Sequence, residues 1–395
     1  MSEQILIQEN REESELQKLK EKFKEWLYLE DDIFIDVELA VAISEGVGGD
    51  PLWIFIVAPP GSAKSETLRC FSDPNYFYQL SDLTSNSFIS GYKYKIKFKE
   101  GERGITETKS KDLLPQLNKK ILIVKDFTVI LDKNDNERRE ILAQLREIYD
   151  GKYARFVGTE NRKIEYESRF GLLAGVTPII DKQWKPMQQL GERFLKIRLN
   201  QDIEKATERA YRNEGNEEKM REELNNAVNE FIESIEIVDI IIPERYEVKF
   251  ENLAKFVAYA RTPVMIKTHP NDSEFYFDYV PMPEIPTRLV KQLKKLGICL
   301  ALIHNKDEID DEIIDIVKRV AFDTIPLDRL EVLKAIGNGV FINEITKNVR
   351  LPEASIRKLL SILELLDLIR EETHGEDSVG RPLIMYKKAE WIINL

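Results

Sequence analysis

A lysine and a serine placed side by side at the mouth of a helix, directly after an apolar strand, can hold phosphate. Here the strand is Trp53-Ile54-Phe55-Ile56-Val57, and the loop Ala58-Pro59-Pro60-Gly61-Ser62-Ala63 delivers Lys64, Ser65 and Glu66. Loop amides and a helix N-terminus then surround an anion, the lysine sets a point charge on the outer phosphates, and the serine hydroxyl ligates Mg²⁺. The expected cradle is Pro60, Gly61, Ser62, Ala63, Lys64, Ser65 and Glu66, with Lys64 and Ser65 in those two roles. Ala58 and Ala63 stand where the strict motif has glycine, so the reading needs support from elsewhere in the chain. Its plain alternative is an ordinary strand-to-helix turn.

Support comes in chain order. Ile121-Leu122-Ile123-Val124-Lys125-Asp126 reads as a short apolar strand ending in a carboxylate, where a metal-associated acid belongs at a strand's C-terminal edge. Glu137 to Tyr149 reads as a helix and Gly151 to Phe170 as a hairpin. Gly171 to Pro178 is a further buried strand that would turn Thr177 toward the nucleotide. Leu190-Gly191-Glu192-Arg193-Phe194 follows, and much later a helix begins near Pro286-Thr287-Arg288.

These blocks together resemble the AAA+ ATPase superfamily, over about Ile33 to Thr324. Pro60-Gly61-Ser62-Ala63-Lys64-Ser65 is similar to the P-loop of MCM-like and phage or mobile-element replication ATPases, and Glu192-Arg193-Phe194 is similar to the MCM arginine finger. The resemblance implies ATP and Mg²⁺ as cofactors, Asp126 in a Walker B element, Thr177 as sensor 1, Arg193 as a finger acting on a neighbouring subunit and Arg288 as sensor 2. It also implies a homo-hexameric ring. The chain departs from the family at Walker B, which normally ends Asp-Glu: here the positions read Lys125-Asp126 or Asp126-Phe127, so one carboxylate has two candidate roles, metal ligand or water-orienting group. Since these residues include nothing like the large N-terminal DNA-binding and zinc-bearing region of MCM proteins, any MCM-like activity is expected to need DNA contacts supplied elsewhere.

The chain has 395 residues, enough for two or three units at about 100–200 residues per domain. The expected class is α/β: an N-terminal amphipathic helix over 1–32, an AAA+ P-loop core over 33–200, a helical lid over 201–325 and a small α+β winged-helix domain over 326–395. Leu16, Leu19, Phe23, Trp26 and Leu27 recur at helical spacing in the first of these. No apolar run reaches the roughly 20 residues a bilayer requires, and the acidic start is unlike a signal peptide, so a cytoplasmic protein without membrane partners is expected. Cys70 and Cys299 lie too far apart to form a ligand motif, and His269, His304 and His374 are isolated, which argues against zinc or histidine chemistry.

A net charge of −12 excludes a uniformly basic nucleic-acid coat and leaves local basic surfaces open. Tyr92 to Lys99 alternates with period 2, placing Lys93, Lys95, Lys97 and Lys99 on one face of a strand. A second hairpin, about Tyr153 to Phe170, carries Arg162 and Lys163 near its tip, in a place resembling the pre-sensor 1 hairpin of DNA-translocating AAA+ proteins. After Pro326, helices over Leu327 to Ile336, Ile342 to Asn348 and Pro352 to Leu368 precede two strands around a glycine-rich loop, a winged-helix pattern with Ser355, Arg357 and Lys358 near the start of its third helix. Arg381, Lys387 and Lys388 flank the wing. The bland alternatives are solvated hairpins and a protein-docking wing.

Two function classes follow: a ring-forming ATPase that acts on DNA as helicase, translocase or replication initiator, or an ATP-controlled regulator that uses the winged helix without unwinding. DNA is the expected partner in the first.

Overall fold

The computed structural model describes residues 14–90, 93–96, 107–110, 112–158, 161–181, 193–268, 275–337, 339–376 and 382–392. Among the described residues the first element is α1 (Glu15–Trp26), where Ser14 Oγ accepts from the Gln17 amide at 3.1 Å and Leu16, Leu19 and Phe23 form the buried stripe. Next comes α2 (Ile33–Ile43), buried on every side from Phe34 onward and apolar except for the buried carboxyls of Asp36 and Glu38.

A five-stranded parallel sheet lies at the centre, formed by β1 (Trp53–Val57), β2 (Phe77–Leu80), β5 (Ile121–Val124), β8 (Gly171–Val176) and β9 (Leu195–Arg198) in the spatial order β2-β5-β8-β1-β9. Two hairpins interrupt it, β3 (Lys93–Ile96) with β4 (Glu107–Ser110), and β6 (Lys152–Val157) with β7 (Arg162–Glu167). Short helices complete this part: α3 (Lys64–Arg69), α4 (Leu114–Leu117), α5 (Thr128–Leu131) and the longer α6 (Asp135–Tyr149).

Alternation along β1 divides the interior in two. Ile54 and Ile56 face the layer that holds α2, while Trp53, Phe55 and Val57 face a second core with Tyr149, Phe127 and Phe194. Phe55 stacks on Phe194 at 4.0 Å, and the Trp53 indole N–H donates to the Phe170 carbonyl at 2.8 Å. Each large apolar side chain buried this way contributes about 1.5–3 kcal/mol. Both faces being covered, β1, β5 and β8 read as unbroken apolar runs.

Beyond β9 the chain is mainly helical: α7 (Ile203–Arg212), α8 (Glu217–Ser234), α9 (Glu244–Ala260), a small hairpin of β10 (Ile266–Thr268) and β11 (Phe275–Phe277), then α10 (Thr287–Ile303) and α11 (Asp311–Asp323). Helix α1 packs on α8, and α2 on α10. The last unit joins α12 (Leu327–Ile336), β12 (Val340–Phe341), α13 (Ile342–Asn348), α14 (Glu353–Leu365), β13 (Ile369–Glu376) and β14 (Pro382–Lys388), with its strands antiparallel in the order β12-β14-β13. The third helix, expected to reach Leu368, ends at Leu365, and the strands expected over Ile369-Arg370 and Leu383 to Tyr386 are both longer. Buried Arg329 fastens this unit to the helical layer, donating to the carbonyls of Ala260 at 2.7 Å and Thr262 at 2.8 Å. No helix among the described residues is long and apolar enough to cross a membrane.

Candidate phosphate-binding site

The cradle forms where β1 ends. The Ala58 amide still pairs with the Val176 carbonyl of β8 at 3.0 Å, so alanine serves as the last ladder residue. Gly61 turns the loop with φ of +79°, and nothing lies within 4 Å of where a Cβ would stand; glycine is there for the backbone. Helix α3 then opens at Lys64, its first turn leaving amides without intrahelical partners. Ser62 Oγ is buried with no partner, and Ser65 Oγ also has none among the described residues. Pro60 is exposed and Ala63 half-buried.

Lys64 is 5 % exposed and folds back on the loop, donating to the carbonyls of Ala58 at 3.2 Å and Pro59 at 3.5 Å. Burial pulls its ammonium pKa down and the charge of Asp126 pushes it back up. Its stem passes β8 at Gly175, where a Cβ would meet the Lys125 carbonyl oxygen at 2.5 Å and Lys64 Cε at 3.3 Å. Sequence reasoning gave Gly175 no role; the signal was a glycine inside a buried strand.

Strand β5 stops at Val124, and the chain turns so that Asp126 faces out while Phe127 packs 4.9 Å from Phe55 in the core. The Phe127 position therefore offers nothing to the site, and Asp126 stands alone. Its Oδ1 accepts from the Thr128 amide at 3.0 Å. Thr128 Oγ1 in turn accepts from the Thr177 amide at 3.1 Å and donates to Thr177 Oγ1 at 3.3 Å. Asp126 and Thr177, from the ends of two different strands, are thus tied through Thr128, which sequence reasoning missed. Behind α3, fully buried Glu38 accepts from Thr67 Oγ1 at 2.9 Å, and burial pushes its carboxyl up to about 8.

Beside the loop lies a cavity of about 200 Å³ bounded by Trp26, Tyr28, Ala63, Gln201, Ala210 and Met220, among others. Helix α8 closes it: Arg221 grips Glu66 through Nε at 2.8 Å and a second guanidinium nitrogen at 3.1 Å. Glu66 is therefore occupied in joining α3 to α8. Asn213 donates to the Trp26 carbonyl at 2.5 Å, holding the aromatic wall.

Arg193 and Arg288 lie elsewhere. Both guanidinium groups sit on the Tyr149 ring, at 5.7 and 5.9 Å from its centroid, and Arg193 also donates to Asp150 Oδ2 at 3.3 Å. Arg193 is 8 % exposed; burial lowers its pKa, and the neighbouring Arg288 charge adds to this. Tyr149 packs at 5.1 Å on Trp53, the first residue of β1, whereas Lys64 follows its last. At about 3.3 Å per residue the strand alone separates the two ends by about 13 Å. Neither arginine is brought to the Lys64 site of its own chain. Glu192 lies outside the described residues.

Of the basic residues, Lys93 and Lys95 lie on β3, in register with Ser110 and Thr108; Lys97, Lys99 and Arg381 lie outside the described residues. Arg162 and Lys163 are adjacent on β7 and so point to opposite faces of their hairpin. Lys163 pairs with Glu165, as does Lys152, and these bonds hold the Glu165 pKa down at about 2. Phe156, 64 % exposed, lies opposite Lys163. On α14 Arg357 is paired with Glu353 at 2.6 Å, and Lys358 is half-buried. Lys387 pairs with Glu372 on the neighbouring strand. Compared with protein-family models and with curated proteins, the chain matches none.

Proposed function

We propose that this chain is an ATP-hydrolysing AAA+ motor that works on DNA as a ring, most simply a homo-hexamer. The observation that carries the reading is that buried Lys64, half-buried Thr177 and exposed Asp126 all follow the C-terminal ends of β1, β8 and β5. In open parallel sheets this is where ligands bind, at the point where strand order reverses; here the chain leaves β1 for the far edge β2 and returns through β5 and β8.

The residues fit the cofactors. Orphan amides at the start of α3, the partnerless Ser62 and Ser65 hydroxyls and Lys64 suit polyphosphate, and the aromatic cavity by Trp26 and Tyr28 suits a base. Ser65 Oγ and exposed Asp126 are hard oxygen donors of the kind Mg²⁺ takes in small number alongside phosphates and water. When bound, Mg²⁺ supplies charge neutralisation at the transferring phosphoryl group. Lys64 adds a point charge, and Asp126, steadied by Thr128 and Thr177, orients water or the metal's water shell.

The position of Arg193 and Arg288 at the far end of the sheet supports action on another copy rather than within one chain. For DNA, the support is Lys93 and Lys95 at alternate positions of β3, the Lys163 and Phe156 pair, and the last unit, whose three helices and three-stranded sheet suit a winged helix. The regulator reading draws on Arg329, whose buried bonds couple that unit to α9. ATP hydrolysis measured with and without single- and double-stranded DNA separates the two. The motor reading expects stimulation by DNA, lost when Lys93, Lys95, Lys97 and Lys99 become Glu, along with a flatter salt dependence of binding. Duplex binding with ATPase indifferent to DNA favours the regulator.

A further inference from the structure

A second cavity, of about 730 Å³, opens at the end of the sheet opposite the phosphate cradle, within the about 300–1,000 Å³ typical of small-molecule sites. It lies between the turn after α2, the segment entering β5, the base of the β6–β7 hairpin and α10. Its lining is charged, and the charges are unevenly satisfied.

Lys295 of α10 lines it, is only 6 % exposed and makes no hydrogen bond or ion pair among the described residues. A buried ammonium left without a partner is unfavourable unless something else supplies one. Arg169 lies against Gly151, its Nε 2.8 Å from where a Cβ would stand, and its guanidinium has no side-chain partner there either. Gly151, with φ of +90°, both turns the chain and makes room for that group. Facing these cations, Glu45 has a buried Oε1 without a hydrogen-bond partner; burial raises its pKa, and the charges of Lys295 and Arg169 pull it back down, so one carboxyl serves both as counter-charge. The remaining acids are engaged: Asp150 by Arg193 at 3.3 Å and Glu167 by Lys152 at 3.9 Å. What is left over is positive charge, in a fork and a point, with one carboxyl across from them.

We propose that this cavity is a second ligand site, for a phosphorylated small molecule up to nucleotide size, with its phosphate between Arg169 and Lys295 and a hydroxyl or amine on Glu45. A phosphate monoester carries about −1.5 to −2 charges at neutral pH, which complements two cations that make no hydrogen bond and share one carboxyl as counter-charge. A guanidinium fork gives it two parallel donors and the ammonium a third. The inference stands apart from the nucleotide reading of Lys64.

The test uses full-length Lys64→Ala protein, in which the phosphate cradle of every copy is weakened, and titrates it with pyrophosphate and with AMP by calorimetry and thermal shift, with Arg169→Gln assigning any binding to the second cavity. One equivalent of either probe is expected to bind. Adding Arg169→Gln should weaken binding by about tenfold or more, as expected for loss of a charged hydrogen bond. Adding Lys295→Met should raise the ligand-free Tm, because a buried charge is gone, and remove the ligand-induced shift. If Lys295→Met fails to fold, the exposed Arg169→Gln decides alone. The proposal is overturned if Lys64→Ala protein takes up neither probe at millimolar concentration, or if affinity is unchanged by Arg169→Gln.

Discussion

Lys64 at one end of the parallel sheet and Arg193 at the other are both buried cations, held in opposite ways. At the C-terminal end Lys64 has only two backbone carbonyls at 3.2 and 3.5 Å, Asp126 has one amide, and the Ser65 hydroxyl has nothing among the described residues. At the N-terminal end Arg193 has a carboxylate and shares an aromatic face with Arg288. Weakly held groups can be handed to an incoming phosphate at small cost; an arginine held by a carboxylate must first give that partner up. On the proposed reading the first end receives ATP, and Arg193 and Arg288 at the second serve a neighbouring copy.

Substitutions at the receiving end sharpen this contrast. Lys64→Ala should lower kcat for ATP by at least about 10²–10³ and weaken nucleotide binding, measured by steady-state hydrolysis and by titration with a fluorescent nucleotide. Asp126→Asn should spare more binding than turnover. Wild-type hydrolysis in Asp126→Asn would remove the carboxylate from the account.

Strand β8 allows a direct test within one element. At Gly175 a Cβ would strike the Lys125 carbonyl, which is backbone, whereas at Gly171 it would strike Ile121 Cδ1, which can rotate away. Gly175→Ala is expected to cost about 1–3 kcal/mol and to lower nucleotide affinity by displacing Lys64. Gly171→Ala should cost less and leave affinity unchanged. Equal loss of affinity in the two would break the distinction between the ends.

The smallest effect expected is in pH dependence. Glu38 has its pKa raised by burial to about 8 from an ordinary 4.5. Its folded form therefore keeps the proton while the unfolded chain releases it, so stability is full below about pH 4.5 and falls as pH rises toward 8. Glu38→Gln, which can still accept from Thr67, should flatten the Tm profile between those limits. A profile as steep as wild type would assign the slope to other groups.

The strands behind Lys64, Asp126 and Thr177 were largely legible in sequence because they are short, local and apolar: β1, β5 and β8 are unbroken hydrophobic runs, and the three residues stand in or just after the turns that follow them. The edge strand β9 was not, since it reads Leu-Lys-Ile-Arg. Its charges are buried by partners far away in sequence: Arg198 makes two bonds to Asp181, at 2.8 and 2.7 Å, and its amide donates to Asp323. Thr128 and the cavity wall of Trp26 and Tyr28 depend on the same long-range assembly. Arg162 and Lys163 show the reverse failure: period 2 alone separates them, yet nearness in sequence made them look like one basic tip.

The central claim, that one end of the sheet receives ATP while the other serves a neighbouring copy, is tested most directly by mixing subunits. Lys64→Ala and Arg193→Ala proteins should each be inactive alone, Arg193→Ala with a loss of about 10³ or more in kcat and its ATP binding intact. Mixed under conditions where co-assembly is demonstrated, they should regain part of the wild-type hydrolysis, at interfaces pairing an intact Lys64 with an intact Arg193. No recovery despite proven co-assembly would contradict the claim.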